Sequence, residues 1–246
     1  MRRLFVAVSF ALIVVAVARA DEATDLRDRA IKAHAKDPAD LQKFRVHTFK
    51  AKGISKLGAE PTPATWEIAA VWPANMRLTW EIAEGDKKTQ FMLVCTGDRA
   101  WRSGTNSPTA ELMLEALNDV RTDTYAIWVS TLTTLTDAKT TIASAGRSKL
   151  SSGEPVLGLK VSRRPWPDIT LYFDEKTSLL RKMAYRSREA GVLLNKEFLY
   201  DGHKEVNGLM VATKHRTVIE GREVANWTEV EYAFPDKIDP KTFEKP

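Results

Sequence analysis

The sequence of 246 residues contains little cysteine and none of the short motifs that mark common catalytic sites. Cys95 is the only cysteine, so no disulfide can form within the chain, and the fold must be held together by its core. There is no C-x-x-C or H-E-x-x-H metal motif, no P-loop, no G-x-G-x-x-G after a strand and no G-x-S-x-G turn. We therefore expect a protein that is not an enzyme and that has no cofactor and no metal site.

The residues most often used as ligands or nucleophiles are isolated in the sequence. The four histidines, His34, His47, His203 and His215, have no second ligand-type residue at metal spacing. We interpret them as scattered surface residues. Cys95 ends an apolar run that begins at Phe91, which favours a buried, unreactive thiol.

The N-terminus has the pattern of a secretory signal peptide. Two arginines are followed by the apolar run Leu4–Val17 and by a small-x-small cleavage site at residues 18–20. The apolar run is shorter than the roughly 20 residues of a spanning helix. We expect cleavage after residue 20, a single domain over residues 21–246, and a soluble protein of the periplasm or cell envelope.

The charge balance gives no reason to expect nucleic acid as a partner. The whole chain has 37 Lys+Arg and 32 Asp+Glu, a net charge of +5. Removal of the expected leader takes away three arginines, which leaves 34 − 32 = +2. A charge this small indicates neither nucleic-acid binding nor attraction to an anionic membrane.

The C-terminal third reads as one strand after another. Runs rich in β-branched and aromatic residues are broken by turn residues about every ten positions, which is typical of an antiparallel meander. The predicted strands are Pro155–Arg163, Ile169–Asp174, Leu179–Arg188, Val192–Asp201, Gly208–Glu220 and Arg222–Phe234.

The N-terminal half combines strands with helices. Leu26, Ala30 and Ala33 form an apolar stripe that predicts a helix over Glu22–Lys36, and Pro38 disfavours its continuation. Two helices are predicted in the middle of the chain, Thr109–Val120 and Thr124–Leu135. The predicted strands are Leu41–Lys52, Thr65–Trp72, Met76–Ala83, Lys88–Thr96, Arg99–Arg102 and Thr140–Lys149, with a long connection over Gly53–Pro63.

These elements predict a mainly β (α+β) fold. About eleven strands with few helices favour a strongly curved, half-open antiparallel β-barrel. The N-terminal helix and the mid-chain helical insertion are the elements available to cover its concave face. Complete filling would make that face an ordinary core, whereas loose filling would leave a ligand cavity, and the pattern of residues is compatible with both.

Apolar residues that share a face are the candidate site. Trp66 and Ile68 lie on one face of a predicted strand, and Leu78, Trp80 and Ile82 share one face of the next. For any one tryptophan an ordinary core position is the commoner explanation. The candidate lining of an apolar cavity is Trp66, Ile68, Leu78, Trp80, Ile82, Trp128 and Leu132.

Three segments carry a resemblance to a known family. They are Val71–Leu78, the hairpin Thr96–Trp101, and the C-terminal part, Tyr200–Val211 followed after a hairpin by Asp239–Pro246. With the leader and the element order, they resemble the outer-membrane lipoprotein-sorting carriers (LolA/LolB-like superfamily). The resemblance implies a lid of helices over an apolar cavity. These carriers usually have arginine or lysine directly before the turn proline, where it holds the lid; here that residue is Trp72.

Two functions follow from the resemblance and the pattern. The first is a monomeric periplasmic carrier that binds lipoprotein acyl chains, lipids or another apolar ligand, with envelope membrane proteins as further partners. The alternative is an exported envelope sensor or protein-interaction module whose core is filled and which binds no ligand.

Overall fold

The chain is organised around one long antiparallel sheet. The computed structural model describes residues 21–189 and 191–246, so the expected signal peptide lies outside the described residues. Thirteen of the described strands form the sheet, and two more, β12 and β13, form a separate hairpin. The strands are β1 Val46–Ser55, β2 Thr62–Val71, β3 Asn75–Glu84, β4 Lys87–Thr96, β5 Arg99–Gly104, β6 Ser107–Glu111, β7 Thr141–Lys149, β8 Pro155–Ser162, β9 Ile169–Asp174, β10 Leu180–Glu189, β11 Val192–Asp201, β12 Lys204–Val206, β13 Leu209–Val211, β14 Lys214–Ile219 and β15 Arg222–Ala233.

The helices lie before the sheet and in its middle. The described part of α1 covers residues 21–34, and α2 is Leu114–Ser130. Short 3-10 helices cover Pro38–Arg45, Thr133–Thr136 and Pro240–Phe243. No helix among the described residues is long and apolar enough to cross a membrane.

The sheet is curved and half-open, as predicted. Its strand order is β6-β5-β4-β3-β2-β1-β15-β14-β11-β10-β9-β8-β7. The first and second halves of the chain meet where β1 pairs with β15. Strands β6 and β7 are the two edges and do not pair with each other, so the sheet stays open.

The helices cover the concave face and create the main core. One cluster joins α1, α2 and strands β8 to β10, and a second joins α2 to β2, β3 and β15. On the other face, a small cluster of Val94, Trp101 and Phe243 seats the C-terminal 3-10 helix. The predicted cover of the concave face is therefore present, and α2 contacts both clusters.

Several element boundaries differ from the sequence prediction. The two predicted mid-chain helices are one helix, α2, because residues 121–123 continue the helical turn. Residues 109–111, predicted as the start of the first helix, instead belong to the edge strand β6. Residues 38–45 are a 3-10 helix with Pro38 in its first turn, so the sheet begins at Val46 rather than Leu41.

Two connections also differ. The long connection predicted over Gly53–Pro63 is only residues 56–61, since β1 continues through a bulge at Gly53. A Cβ at this position would lie 2.0 Å from the carbonyl oxygen of Asn226, so glycine is required by the close approach of the two strands. The single strand predicted over Gly208–Glu220 is divided into β13 and β14.

Candidate functional site

A cavity lies between the concave face of the sheet and the C-terminal half of α2. Strands β1, β2, β10, β11, β14 and β15 form its floor, and α1, α2, Thr131, Leu132 and the β12–β13 hairpin close it. Its apolar lining consists of Phe44, Phe49, Trp66, Ile68, Ile127, Leu132, Leu180, Met183, Phe198, Met210, Val211 and Ala212. The polar lining consists of His34, His47, His203, His215, Tyr200, Tyr232, Ser130 and Thr131.

The cavity is small in this structure. Its volume is about 80 Å³. A cavity of about 150 Å³ lined by apolar side chains admits benzene, and one water needs roughly 10–15 Å³ on the same measure. In this form the cavity has space for a few water molecules and is too small for an acyl chain.

All four histidines of the chain line this cavity. His34, His47 and His215 are buried and His203 is half-buried, so the interpretation of scattered surface residues is wrong. His34 lies on the apolar stripe of α1, four residues after Ala30, whose carbonyl accepts a 2.8 Å hydrogen bond from its Nδ1. Its Nε2 accepts a 3.1 Å bond from the backbone N–H of Leu180, which fixes the ring in its neutral form.

Burial keeps the histidines uncharged. Desolvation lowers the pKa of His34 and of His47 to about 4, although hydrogen bonds to backbone carbonyls act in the opposite direction. Desolvation lowers the pKa of His215 to about 3 and also lowers the pKa of His203. At neutral pH these side chains can donate and accept hydrogen bonds without adding charge to the cavity.

The two tyrosines of the cavity are also neutral. Burial raises the pKa of Tyr200 and of Tyr232 well above the ordinary range. The hydroxyl of Tyr232 lies 3.5 Å from Nε2 of His215, and the ring of Tyr200 packs edge-on against the same imidazole. The lining is therefore apolar with neutral polar groups, which suits an apolar or amphipathic ligand better than an ion.

The structure separates the seven candidate residues into two groups. Trp66, Ile68 and Leu132 line the cavity. Leu78, Trp80 and Ile82 are half-buried and pack against the adjoining cluster, as do Leu117 and Val120 of α2. Trp80 meets Trp227 edge-on, with ring centroids 5.7 Å apart. Trp128 also lies outside the cavity, where it stacks on Trp72.

One polar cluster ties the middle of α2 to the sheet. Asp123 on α2 accepts a 2.8 Å bond from Nζ of Lys196 on β11 and a 3.1 Å bond from the hydroxyl of Tyr185 on β10. The side chain of Lys196 is only 8% exposed, and its charge is compensated mainly by Asp123, with Glu189 of β10 as a more distant partner at 3.7 Å. This cluster holds α2 in the closed position.

An aromatic contact holds the C-terminal half of α2. Trp72, at the end of β2, is buried and stacks on Trp128 with ring centroids 6.4 Å apart and planes inclined by 19°. The guanidinium of Arg163 lies 5.2 Å from the centroid of Trp128 on α2. The position at which lipoprotein-sorting carriers usually have a cation is thus occupied by a ring that contacts the helix through stacking.

Periodicity could have identified the histidines as part of the site. His34 follows Leu26 and Ala30 at intervals of four on α1, and His47 alternates with Phe49 on β1. Their spacing excludes a metal motif but places both on the apolar face of their elements, which is the signal for a cavity position. The contribution of β12–β13 has no sequence signal, because Met210 and Val211 reach the cavity through the fold of that hairpin.

Solved structures share this fold at low sequence identity. A LolA superfamily protein from Nitrosomonas europaea matches with a TM-score of 0.53 and 14% identity, over 91% of this chain and 97% of that one. A domain from Vibrio parahaemolyticus, provisionally described as an outer membrane lipoprotein-sorting protein, matches with a TM-score of 0.52 and 11% identity, over 94% and 97%. A DUF1329 family protein from Desulfovibrio piger matches with a TM-score of 0.54 and 10% identity, over 92% and 97%.

These matches define the fold of the chain as LolA-like. No family model matches the sequence, and no curated protein does so. The resemblance drawn from the three sequence segments is thus confirmed for the fold, and the low identities indicate a divergent form of it.

Proposed function

We propose that this protein is a periplasmic binding protein that carries an apolar ligand, such as a lipid or the acyl chains of a lipoprotein, in the cavity beneath α2. The observation that carries the proposal is the neutral, largely apolar cavity that lies under a helix held by a few distinct contacts. The LolA-like fold supports it, because a solved protein of this fold is provisionally described as a lipoprotein-sorting protein.

Binding in the cavity would require α2 to open. The closed volume of about 80 Å³ is too small for a long chain, so the contacts of Asp123 and Trp128 would have to break. Burial of a 16-carbon chain at about 0.8 kcal/mol per methylene would release about 13 kcal/mol, enough to compensate for the loss of both contacts.

The proposed activity needs no chemical step. We propose a monomer without cofactor or metal, exported after removal of residues 1–20, whose further partners are membrane proteins of the envelope. The ligand would be recognised by its apolar surface, and the lid would exclude water from it.

A substitution that fills the cavity tests this proposal. Ala212 is buried and lines the cavity, whereas Ala233 is exposed on β15. Ala212→Leu should weaken the uptake of an environment-sensitive fluorescent fatty acid about tenfold, while Ala233→Leu should bind as the wild type does. Circular dichroism would confirm that both variants are folded. Equal binding of the fatty acid by the two variants would then show that the cavity is not its binding site.

The small volume of the cavity favours one alternative. If α2 never leaves the sheet, the concave face is an ordinary core, and the protein is an envelope sensor or interaction module without a ligand. Such a module would be recovered from envelope extract with a stable protein partner and would take up no fatty acid.

A further inference from the structure

A second pocket lies beside the Trp72–Trp128 pair and shares no lining residue with the cavity. Its volume is about 210 Å³, larger than that of the closed cavity. We call it the arginine pocket. Its main lining residues are Trp72, Arg121, Tyr125, Trp128, Arg163 and Trp166.

The walls of the arginine pocket are two pairs of stacked rings. Trp72 and Trp128 form one pair, and Tyr125 and Trp166 form the other, with centroids 5.3 Å apart and planes inclined by 17°. Each pair supports one guanidinium, since Arg163 lies 5.2 Å from Trp128 and Arg121 lies 5.5 Å from Trp166. Aromatic faces fix the planar guanidinium groups and leave their edges available as donors.

The two arginines leave one positive charge without compensation. Arg163 is paired with Asp137 at 2.7 Å. Arg121 has no carboxylate oxygen within 4.0 Å in the described part of the chain. Asp168, whose charge acts on Tyr125, is paired with Lys160 at 3.1 Å. The pocket therefore carries a net charge of about one and suits a monoanion.

Two hydrogen-bond donors in the walls also lack acceptors. The hydroxyl of Tyr125 and the indole N–H of Trp72 are buried and have no partner among the described residues. A buried donor without an acceptor is unfavourable, so either group would gain from an acceptor that a ligand brings.

We propose that the arginine pocket binds a monoanionic oxygen group, a carboxylate or a phosphodiester, that is attached to an apolar or aromatic body. Arg121 supplies the charge and two donors of its fork, and the stacked rings contact the body of the ligand. The pocket shares Trp72 and Trp128 with the lid, and Trp72 also packs 6.2 Å from His47 of the cavity. Separation of that pair would join the two spaces.

The inference has a second part that rests on the proposed function. If the cavity takes an apolar tail, the arginine pocket takes the head group of the same molecule. The ligand carried would then be an anionic amphiphile rather than a neutral or cationic one.

Calorimetric titration with four probes tests both parts. The probes are sodium benzoate, a short anion with a planar body; sodium decanoate; decanol; and decyltrimethylammonium, a cation of the same chain length. We expect benzoate to bind and decanoate to bind at least tenfold more tightly than the cation. Arg121→Gln should weaken the binding of benzoate and of decanoate about tenfold, because a hydrogen bond to a charged group is lost.

The control is Arg186→Gln, which removes an exposed arginine of β10 outside both spaces and should change nothing. Unchanged binding of benzoate and decanoate by Arg121→Gln would overturn the arginine pocket. If decanol binds as tightly as decanoate and Arg121→Gln does not change either affinity, the carrier proposal is supported and anion binding in the arginine pocket is refuted. If benzoate alone binds and depends on Arg121, the pocket stands as a site for a free small anion and the carrier proposal fails.

Discussion

Mild acid should destabilise this protein because its histidines are buried in their neutral form. A histidine whose pKa is lower in the folded chain than in the unfolded chain takes up its proton on unfolding. Stability is then lost as the pH falls from the unfolded value near 6.5 towards the folded value. For His34 and His47 the folded value is about 4, and for His215 it is about 3, so the window is pH 6.5 to about 4.

The size of the effect follows from these values. At pH 5, each of these three histidines lowers the free energy of unfolding by about 2 kcal/mol relative to neutral pH, or about 6 kcal/mol together if they titrate independently. That sum is comparable with the whole stability of many domains. The carboxyls of Asp137 and Asp174 have a lowered pKa, so their stabilising effect is lost only near pH 4 and below.

Urea unfolding followed by tryptophan fluorescence at pH 7.5, 6.5, 5.5 and 5.0 measures this loss. The substitution His47→Gln should remove one of the protons taken up and reduce the pH slope by about 1 kcal/mol per pH unit between pH 6 and pH 5. The control is the range pH 7.5 to 8.5, in which the wild type should be equally stable throughout. Stability that is unchanged down to pH 5, or a slope unaltered by His47→Gln, would refute the burial of neutral histidines.

Three other predictions concern the lid, the sheet and the thiol. Asp123→Asn should lower the free energy of unfolding by about 1.5–3 kcal/mol in a urea titration, because it removes the nearer carboxylate of the buried Lys196 and leaves only Glu189, at 3.7 Å; an unchanged midpoint would show that the cluster does not hold α2. Gly53→Ala should abolish a cooperative thermal transition, since its Cβ would lie 2.0 Å from a carbonyl oxygen of β15, whereas Gly58→Ala, with its nearest atom at 3.8 Å, should melt as the wild type does. Cys95 should react with a thiol reagent at pH 8 only after denaturation, since burial raises its pKa to about 11; fast reaction of the folded protein would contradict this.

The sequence predicted the sheet well where alternation was regular. The predicted Ile169–Asp174 and Val192–Asp201 coincide with β9 and β11, and the apolar face of β2 is buried as expected. Prediction failed at residues 107–111, where Pro108 and neighbouring polar residues suggest a turn although they form a short edge strand. An edge strand is half-solvated, so its composition does not distinguish it from a loop.

The candidate site was predicted only in part. Trp66 and Ile68 were found because strand alternation places them on the buried face. The histidines were missed because a histidine on an apolar face was judged by its metal chemistry rather than by its position. The arginine pocket could not be predicted, because Arg121 and Trp166 are 45 positions apart and only the packing of α2 on the loop before β9 brings them together.

Purification without detergent, followed by extraction and lipid mass spectrometry, measures whether the cavity beneath α2 carries a lipid. The chain from Asp21 to Pro246 would be expressed without its leader and also exported with it, so that the exported sample meets envelope lipids. The carrier account predicts about one lipid per protein in the exported sample and a loss of that lipid in Ala212→Leu. A lipid-free, monomeric and tightly folded exported protein would contradict the account and identify the concave face as a filled core.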